Sequence, residues 1–173
     1  NGKVIHFEMH KSVINSKERM TYKNFQKILN GDKEMCLRYP HLIEIAKNME
    51  TLSDILSKSR DRRGELDFDL PETQIILDEN NEVIDIQAYP IEKSNQLIES
   101  FMVVTNEAVA EFMGEVKIPA IYRVHNIPDP ERIASFNRFL GQYGLAIKCA
   151  GNDFAEITPK DFQKLLKEIE DKE

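Results

Sequence analysis

The sequence is short of the features that mark most enzyme classes at sight. It has only two cysteines, Cys36 and Cys149, far apart and forming no CxxC pair, so they read as free thiols of a reducing, cytoplasmic compartment rather than as a disulfide. No apolar run approaches the length of a membrane span, and no signal-peptide pattern is visible. A glycine-rich phosphate loop, a GxSxG elbow and a Cys/His nucleophile pattern are all missing, which removes the commonest signatures of nucleotide hydrolysis and acyl transfer. Internal repeats, low-complexity segments and linkers are missing too. So is an excess of positive charge: 23 Lys and Arg stand against 30 Asp and Glu, a net charge of -7. Phosphate binding relies on Lys and Arg, so composition alone argues against a nucleic-acid partner. The chain also lacks an initiator methionine; it begins NGKVIHFE and ends KEIEDKE, as a piece of something larger would, or a protein with a trimmed terminus.

What is present suits one α+β domain of helices and short antiparallel strands, with no internal boundary: 173 residues, 41% of them hydrophobic, can build a sizeable core. Residues 3–14, KVIHFEMHKSVI, alternate loosely between apolar and polar and predict a half-buried strand. Thr21 is placed to cap a short helix over YKNFQKILN, stopped by Gly31. Leu42, Ile45, Met49, Leu52 and Leu56 recur at helical spacing and predict a helix from about His41 to Arg62, ended by Gly64. Arg60, Arg62 and Arg63 then face the partial negative charge of its C-terminus. QIILDENNEVIDIQAY reads as two strands joined by a turn at Asn80 and Asn81. A helix from about Ile91 to Met113 is apolar on most sides and is expected to be buried. AIYRVH, residues 120–125, reads as a short strand. Asp129 with Pro130, and Thr158 with Pro159, each look like the start of a helix.

Three constellations could carry chemistry. His6 and His10 are four apart, a metal-ligand spacing on a helix, but their segment reads as a strand with no third ligand in view. Asp67 and Asp69 would share one face of a strand, with Phe68 on the other; such a pair can hold Mg²⁺, although two acids so placed are more often a solvated face. Asn95, Glu99 and Asn106 fall on one narrow stripe of the apolar helix. A buried carboxylate there needs a partner or a cavity, while a stripe facing water needs neither. Composition and spacing stop at that point, short of an activity.

Four runs in chain order add a resemblance. SKERMTYKNFQKILNGD (16–32), RRGELDFDLPE (62–72), SNQLIESFMVVTNEAVAEF (94–112) and IYRVHNIPDPERIASFNRFL (121–140) resemble the RNB catalytic domain of the RNase II and RNase R family of 3′-to-5′ exoribonucleases, and the RNase R branch most. The resemblance implies a processive, Mg²⁺-dependent hydrolase that degrades single-stranded RNA from its 3′ end to nucleoside 5′-monophosphates, acting on RNA and not on DNA, away from membranes. It also implies that residues 1–173 are an internal segment of that domain. The family's aspartate cluster lies upstream of these motifs and its catalytic arginine downstream, so the resemblance assigns this segment no catalytic and no metal-binding residue. What it assigns is substrate contact. Phe68 matches the phenylalanine that stacks on the 3′-terminal base, and Tyr22 and Glu99 match residues beside the RNA ribose. Ser100 and Asn95 depart from the family, which has a second glutamate and a histidine there. The expected role is channel wall and 3′-end clamp, inactive alone, with apolar faces left exposed and a tendency to self-associate. The alternative is a non-catalytic RNA-binding or interaction module on a truncated RNB fold; an aspartate cluster encoded upstream in the same reading frame would distinguish the two.

Overall fold

A computed structural model describes residues 2–66, 72–149 and 154–170, with Ala155 as backbone only. Among the described residues the chain is mostly helical with one two-stranded sheet: α1 (Tyr22–Leu29), α2 (Lys33–Arg38), α3 (Ile43–Arg63), β1 (Thr73–Leu77), β2 (Val83–Ala88), α4 (Lys93–Glu115), α5 (Pro130–Gly141) and α6 (Pro159–Glu170). This is the α+β mixture expected. The packing divides into two units although no linker is visible in the sequence. The first gathers residues 2–58 and 72–117, the second 59–66 and 118–170.

In the first unit, the Thr21 hydroxyl accepts the Asn24 N–H at 3.2 Å and starts α1. Gly31, at φ 73°, takes the left-handed turn that releases the chain into α2. Asp32 caps α2 by accepting from Met35 N–H at 2.9 Å. These caps bring Ile28, Met35 and Ala46 into one buried cluster, flanked by Met20, Phe25, Leu29, Tyr39 and Ile43. α4 docks through a seam of small residues around one large one: Leu97 is fully buried, between Ser94 and Ser100, themselves almost inaccessible. Burying a leucine side chain this completely contributes about 1.5–3 kcal/mol. Across the seam Ser53 on α3 donates to Ser100 at 3.3 Å, and Gln26 on α1 accepts the Ser94 N–H at 2.9 Å. Ser100 stands here where the family pattern has a glutamate. Lys93 pairs with Asp54.

β1 and β2 form an antiparallel hairpin running from Thr73↔Ala88 to Leu77↔Val83, with an irregularity between Ile76 and Leu77. Its turn holds Asn81 at φ 64°, and the Asp78 carboxylate accepts the N–H groups of Asn80 and Glu82 at 2.8 Å each. The Glu82 bond chiefly holds the Asp78 carboxyl below the usual aspartate range.

In the second unit, Asp129 caps α5 by accepting from Glu131 N–H, with Pro130 in the first helical position. Ile133, Leu140, Ile147, Ile157 and Leu165 make its core. Asn137 closes two bonds on the Ile147 backbone, accepting its N–H at 2.7 Å and donating to its carbonyl at 3.1 Å. At α6 the expected cap is inverted. The Thr158 hydroxyl donates to the Asp161 carboxylate at 2.7 Å, and the Thr158 N–H donates to the same oxygen at 3.0 Å. The Thr158 hydroxyl, then its N–H, and then Lys164 hold Asp161 below the ordinary carboxylate value. A carboxyl depressed on folding stabilises above its unfolded value of about 3.9 and ceases to do so as pH falls through its folded value. Asp161→Ala is therefore expected to cost about 1–2 kcal/mol at neutral pH. The difference from the parent should close below about pH 4, as urea titrations at several pH values would report.

Three expectations do not hold. Residues 3–14 form no strand; Ile5 is 97% exposed and Val13 102%, because the alternating pattern has no neighbouring strand to bond and no surface to cover. AIYRVH is not a strand either, for the same reason, with Ile121 wholly exposed. And α4 is not buried all round: Met102 and many of its other residues are exposed, and the buried face is the serine–leucine seam.

Candidate nucleic-acid interface

In the first unit an open groove of about 660 Å³ lies between the segment leading into α1, α1 itself, α3 and α4. Its floor is apolar. Met20 and Phe25 line it together with Leu42 just before α3, Ile45 and Met49 of α3 and Ile98 of α4, while Lys17, Glu18 and Arg19 bring charge to its edge. Tyr22 lines it at the start of α1, 46% exposed. The Thr21 cap fixes this placement, since it sets the direction in which the first turn of α1 leaves the preceding chain. An aromatic ring over an apolar floor with two cations alongside can hold a planar, negatively charged chain, the rings by stacking and the cations by pairing with phosphate.

The assigned residues are not all brought together. Glu99 directly follows Ile98 on α4 yet is exposed and does not line the groove, and among the described residues no hydrogen bond joins it to Tyr22. Asn106 on the same stripe is also exposed. Asn95 has a local duty, accepting the Glu92 N–H at 3.1 Å to close the first turn of α4. The stripe is thus a cap followed by a solvent face. Phe68, Asp67 and Asp69 lie outside the described residues.

The His6–His10 spacing assembles no metal site among the described residues, and the Asp67–Asp69 pair lies outside them. His6 and His10 both bond Glu8, at 3.2 and 2.9 Å, on an exposed segment. Those bonds, His10's first, draw the Glu8 carboxyl below its usual range. Among the described residues no group of three or more His, Cys, Asp or Glu is arranged to hold a metal ion. The described residues therefore do not fit Mg²⁺. Among them, too, no helix is long and apolar enough to cross a membrane.

Sequence reasoning placed the end of α3 at Gly64 but missed the ion pair that closes it. Gly64, at φ 105°, donates its N–H to the Asp61 carbonyl at 3.0 Å, and Glu65 donates its N–H to the Arg60 carbonyl at 3.2 Å. This is the paired-bond ending of a helix, in which an apolar contact usually joins the residues that an ion pair joins here, Arg60 Nε to Glu65 at 2.8 Å. The cluster RDRRGE carried the signal, with an arginine five residues before a glutamate and a glycine just ahead of it.

The RNB domain family model matches residues 1–173. Ribonuclease R of Aquifex aeolicus is 36% identical over 98% of the chain, and Ribonuclease R of Thermotoga maritima is 36% identical over 99%. Among solved structures, Mycoplasma genitalium RNase R in complex with ribose methylated single-stranded RNA superposes with a TM-score of 0.75 at 30% identity, covering 90% of the chain. The chain spans about a quarter of the length of these relatives, 24% in each case.

Proposed function

Because the chain belongs to the RNB domain family, we propose that it forms part of a processive, Mg²⁺-dependent 3′-to-5′ exoribonuclease that hydrolyses single-stranded RNA to nucleoside 5′-monophosphates in the cytoplasm. The observation that carries this reading is the family match over residues 1–173; likeness to an RNA-bound RNase R adds to it. When bound, Mg²⁺ supplies the activated water, and its ligands belong to other parts of such an enzyme. This segment forms channel wall and 3′-end clamp. Phe68 stacks on the terminal base, which suits a sequence-tolerant enzyme because every base presents a π-face. Tyr22 contacts the sugar from the groove, and Glu99 meets it from the exposed face of α4. Lys17 and Arg19 pair with phosphates, a local basic edge on a chain of net charge -7.

Stacking is worth about 1–3 kcal/mol per base, so Phe68→Ala is expected to weaken single-stranded RNA binding by roughly 5- to 150-fold. Fluorescence anisotropy of a 5′-labelled RNA would measure it, and unchanged affinity would remove Phe68 from the interface. Self-association belongs to the same proposal. The hairpin exposes Ile75, Val83, Ile84 and Ile86, each more than half accessible, and a two-stranded sheet is marginal without a covering layer. Light scattering at rising concentration should show growth beyond the monomer mass.

A further inference from the structure

One bond between α1 and α4 lies a single turn from the groove on both helices. Gln26 follows Tyr22 by four residues on α1, and Ser94 precedes Ile98 by four on α4, so each shares a helix face with a residue that lines the groove. The bond joins the two: Gln26 Oε1 accepts the Ser94 N–H at 2.9 Å. Ser94 is the second residue of α4, where an N–H has no acceptor within its own helix, and it is fully buried, so water cannot stand in. The orientation of the Gln26 amide is fixed at both ends. A main-chain N–H needs an acceptor, which turns the oxygen toward Ser94, and the amide nitrogen donates to Asn30 Oδ1 at 2.9 Å. The Ser94 hydroxyl, by contrast, is buried without a partner. The holding is done by the main chain and Gln26, not by the serine side chain.

We propose that Gln26 is a positioning residue for sugar selection in the groove: by satisfying the Ser94 N–H it fixes the gap between α1 and α4, and with it the place of the Tyr22 hydroxyl over the apolar floor. The inference rests on the reading of Tyr22 as a sugar contact and adds a residue that does not itself line the groove. The Thr21 cap sets the direction in which the first turn of α1 leaves the preceding chain. How far that turn stands from Ile98 depends on what ties α1 to α4. Apolar packing tolerates small slides, whereas a hydrogen bond to a buried N–H is directional and costly to leave unmade. A hydroxyl that tells ribose from deoxyribose must stand within hydrogen-bond reach of the 2′-OH. A shift in the gap therefore weakens discrimination before it weakens contact with the strand as a whole.

Gln26→Leu removes the acceptor at similar bulk. Gln26→Glu keeps an acceptor, and Asn30 can turn its own amide N–H toward the new oxygen. Two readouts on the whole chain decide the matter. Exchange of the Ser94 amide, followed by NMR, reads the bond directly. It should quicken at least about tenfold in Gln26→Leu, with the Val104 amide in mid-α4 unchanged, and stay near the parental rate in Gln26→Glu. Titrated with matched single-stranded RNA and DNA, Gln26→Leu should lower the RNA-to-DNA affinity ratio from at least about tenfold to about threefold or less, and Gln26→Glu should keep it within about twofold of the parent. The added charge of the glutamate weakens both strands alike and cancels in the ratio. Ser94→Ala keeps the N–H, drops an unpartnered hydroxyl and should match the parent. Parental exchange in Gln26→Leu would show that Gln26 holds nothing. Faster exchange with the parental ratio would leave it a brace with no part in sugar choice. A ratio lost equally in Gln26→Glu or in Ser94→Ala would trace the effect to general disturbance of the seam. Each of these overturns the proposal. Tyr22→Phe is the control for the underlying reading: if it keeps the parental ratio, Tyr22 does not read the sugar, and the positioning role falls with it even where the exchange result stands.

Discussion

Incubated with single-stranded RNA and Mg²⁺, the purified chain is expected to release no nucleoside 5′-monophosphates. Hydrolysis of a phosphodiester by this chemistry needs carboxylates that fix the ion and, through it, the attacking water. Mg²⁺ is held in near-octahedral geometry by a small set of carboxylates together with waters and substrate phosphate. Among the described residues no such group assembles. The nearest approach in the sequence is the pair Asp67 and Asp69, too few without a third partner and outside the described residues. The remaining carboxylates with a structural assignment are already engaged. Asp161 is taken by Thr158 and Lys164, Asp78 by its own turn, and Glu8 by two histidines. Chromatography of the products settles the point. Mononucleotide release that survives Asp67→Asn with Asp69→Asn and repurification would show that the chain carries a complete catalytic centre elsewhere.

The sequence made the helices legible because their ends are written in local chemistry. Thr21, Asp129 and Pro130 each do the job their type predicts, and Gly31 and Gly64 both take the positive φ that ends a helix. The hairpin was legible for the same reason, since the turn chemistry of Asp78 to Asn81 is local. Burial was not. Residues 3–14 and 120–125 carry a strand's alternation, but alternation states only which face would be covered, and a strand needs a neighbour to exist. α4 shows the converse. Its apolar side chains suggested a helix buried all round, whereas its tightest contact is made by two serines flanking Leu97, because close approach of helices favours small residues over large ones. The site was legible only through family resemblance. Periodicity picked out Asn95, Glu99 and Asn106 as one stripe, and the structure divides them into a cap and a solvent face. It placed no weight on Tyr22, which lines the groove, because a tyrosine one residue after a helix cap carries no periodic signal. Gln26 was invisible for a further reason: its partner on α4 is far away in sequence, and only the tertiary contact gives it a role.

Choice of sugar is the sharpest consequence of the proposed interface. The ribose 2′-OH both donates and accepts, and at a given position it is what separates RNA from DNA. The Tyr22 hydroxyl can donate to its oxygen, and the Glu99 carboxylate can accept its proton. A neutral hydrogen bond contributes about 1 kcal/mol and one to a charged group about 1.5–3. Tyr22 is 46% exposed and Glu99 lies on the open surface of α4, so water competes for both. The sum then corresponds to an RNA preference on the order of ten- to a hundredfold, well short of what a closed pocket achieves. Tyr22→Phe with Glu99→Ala removes the donor and the acceptor while leaving Phe25, Met49 and Ile98 to hold the groove.

Titrating matched single-stranded RNA and DNA against the parent and this double variant tests the central claim directly, that the segment is the RNA-reading wall of an exoribonuclease. The parent is predicted to bind RNA at least tenfold more tightly than DNA, and the double variant to bind the two alike. Equal affinity of the parent for both strands, or a double variant that keeps the parental ratio, would contradict it.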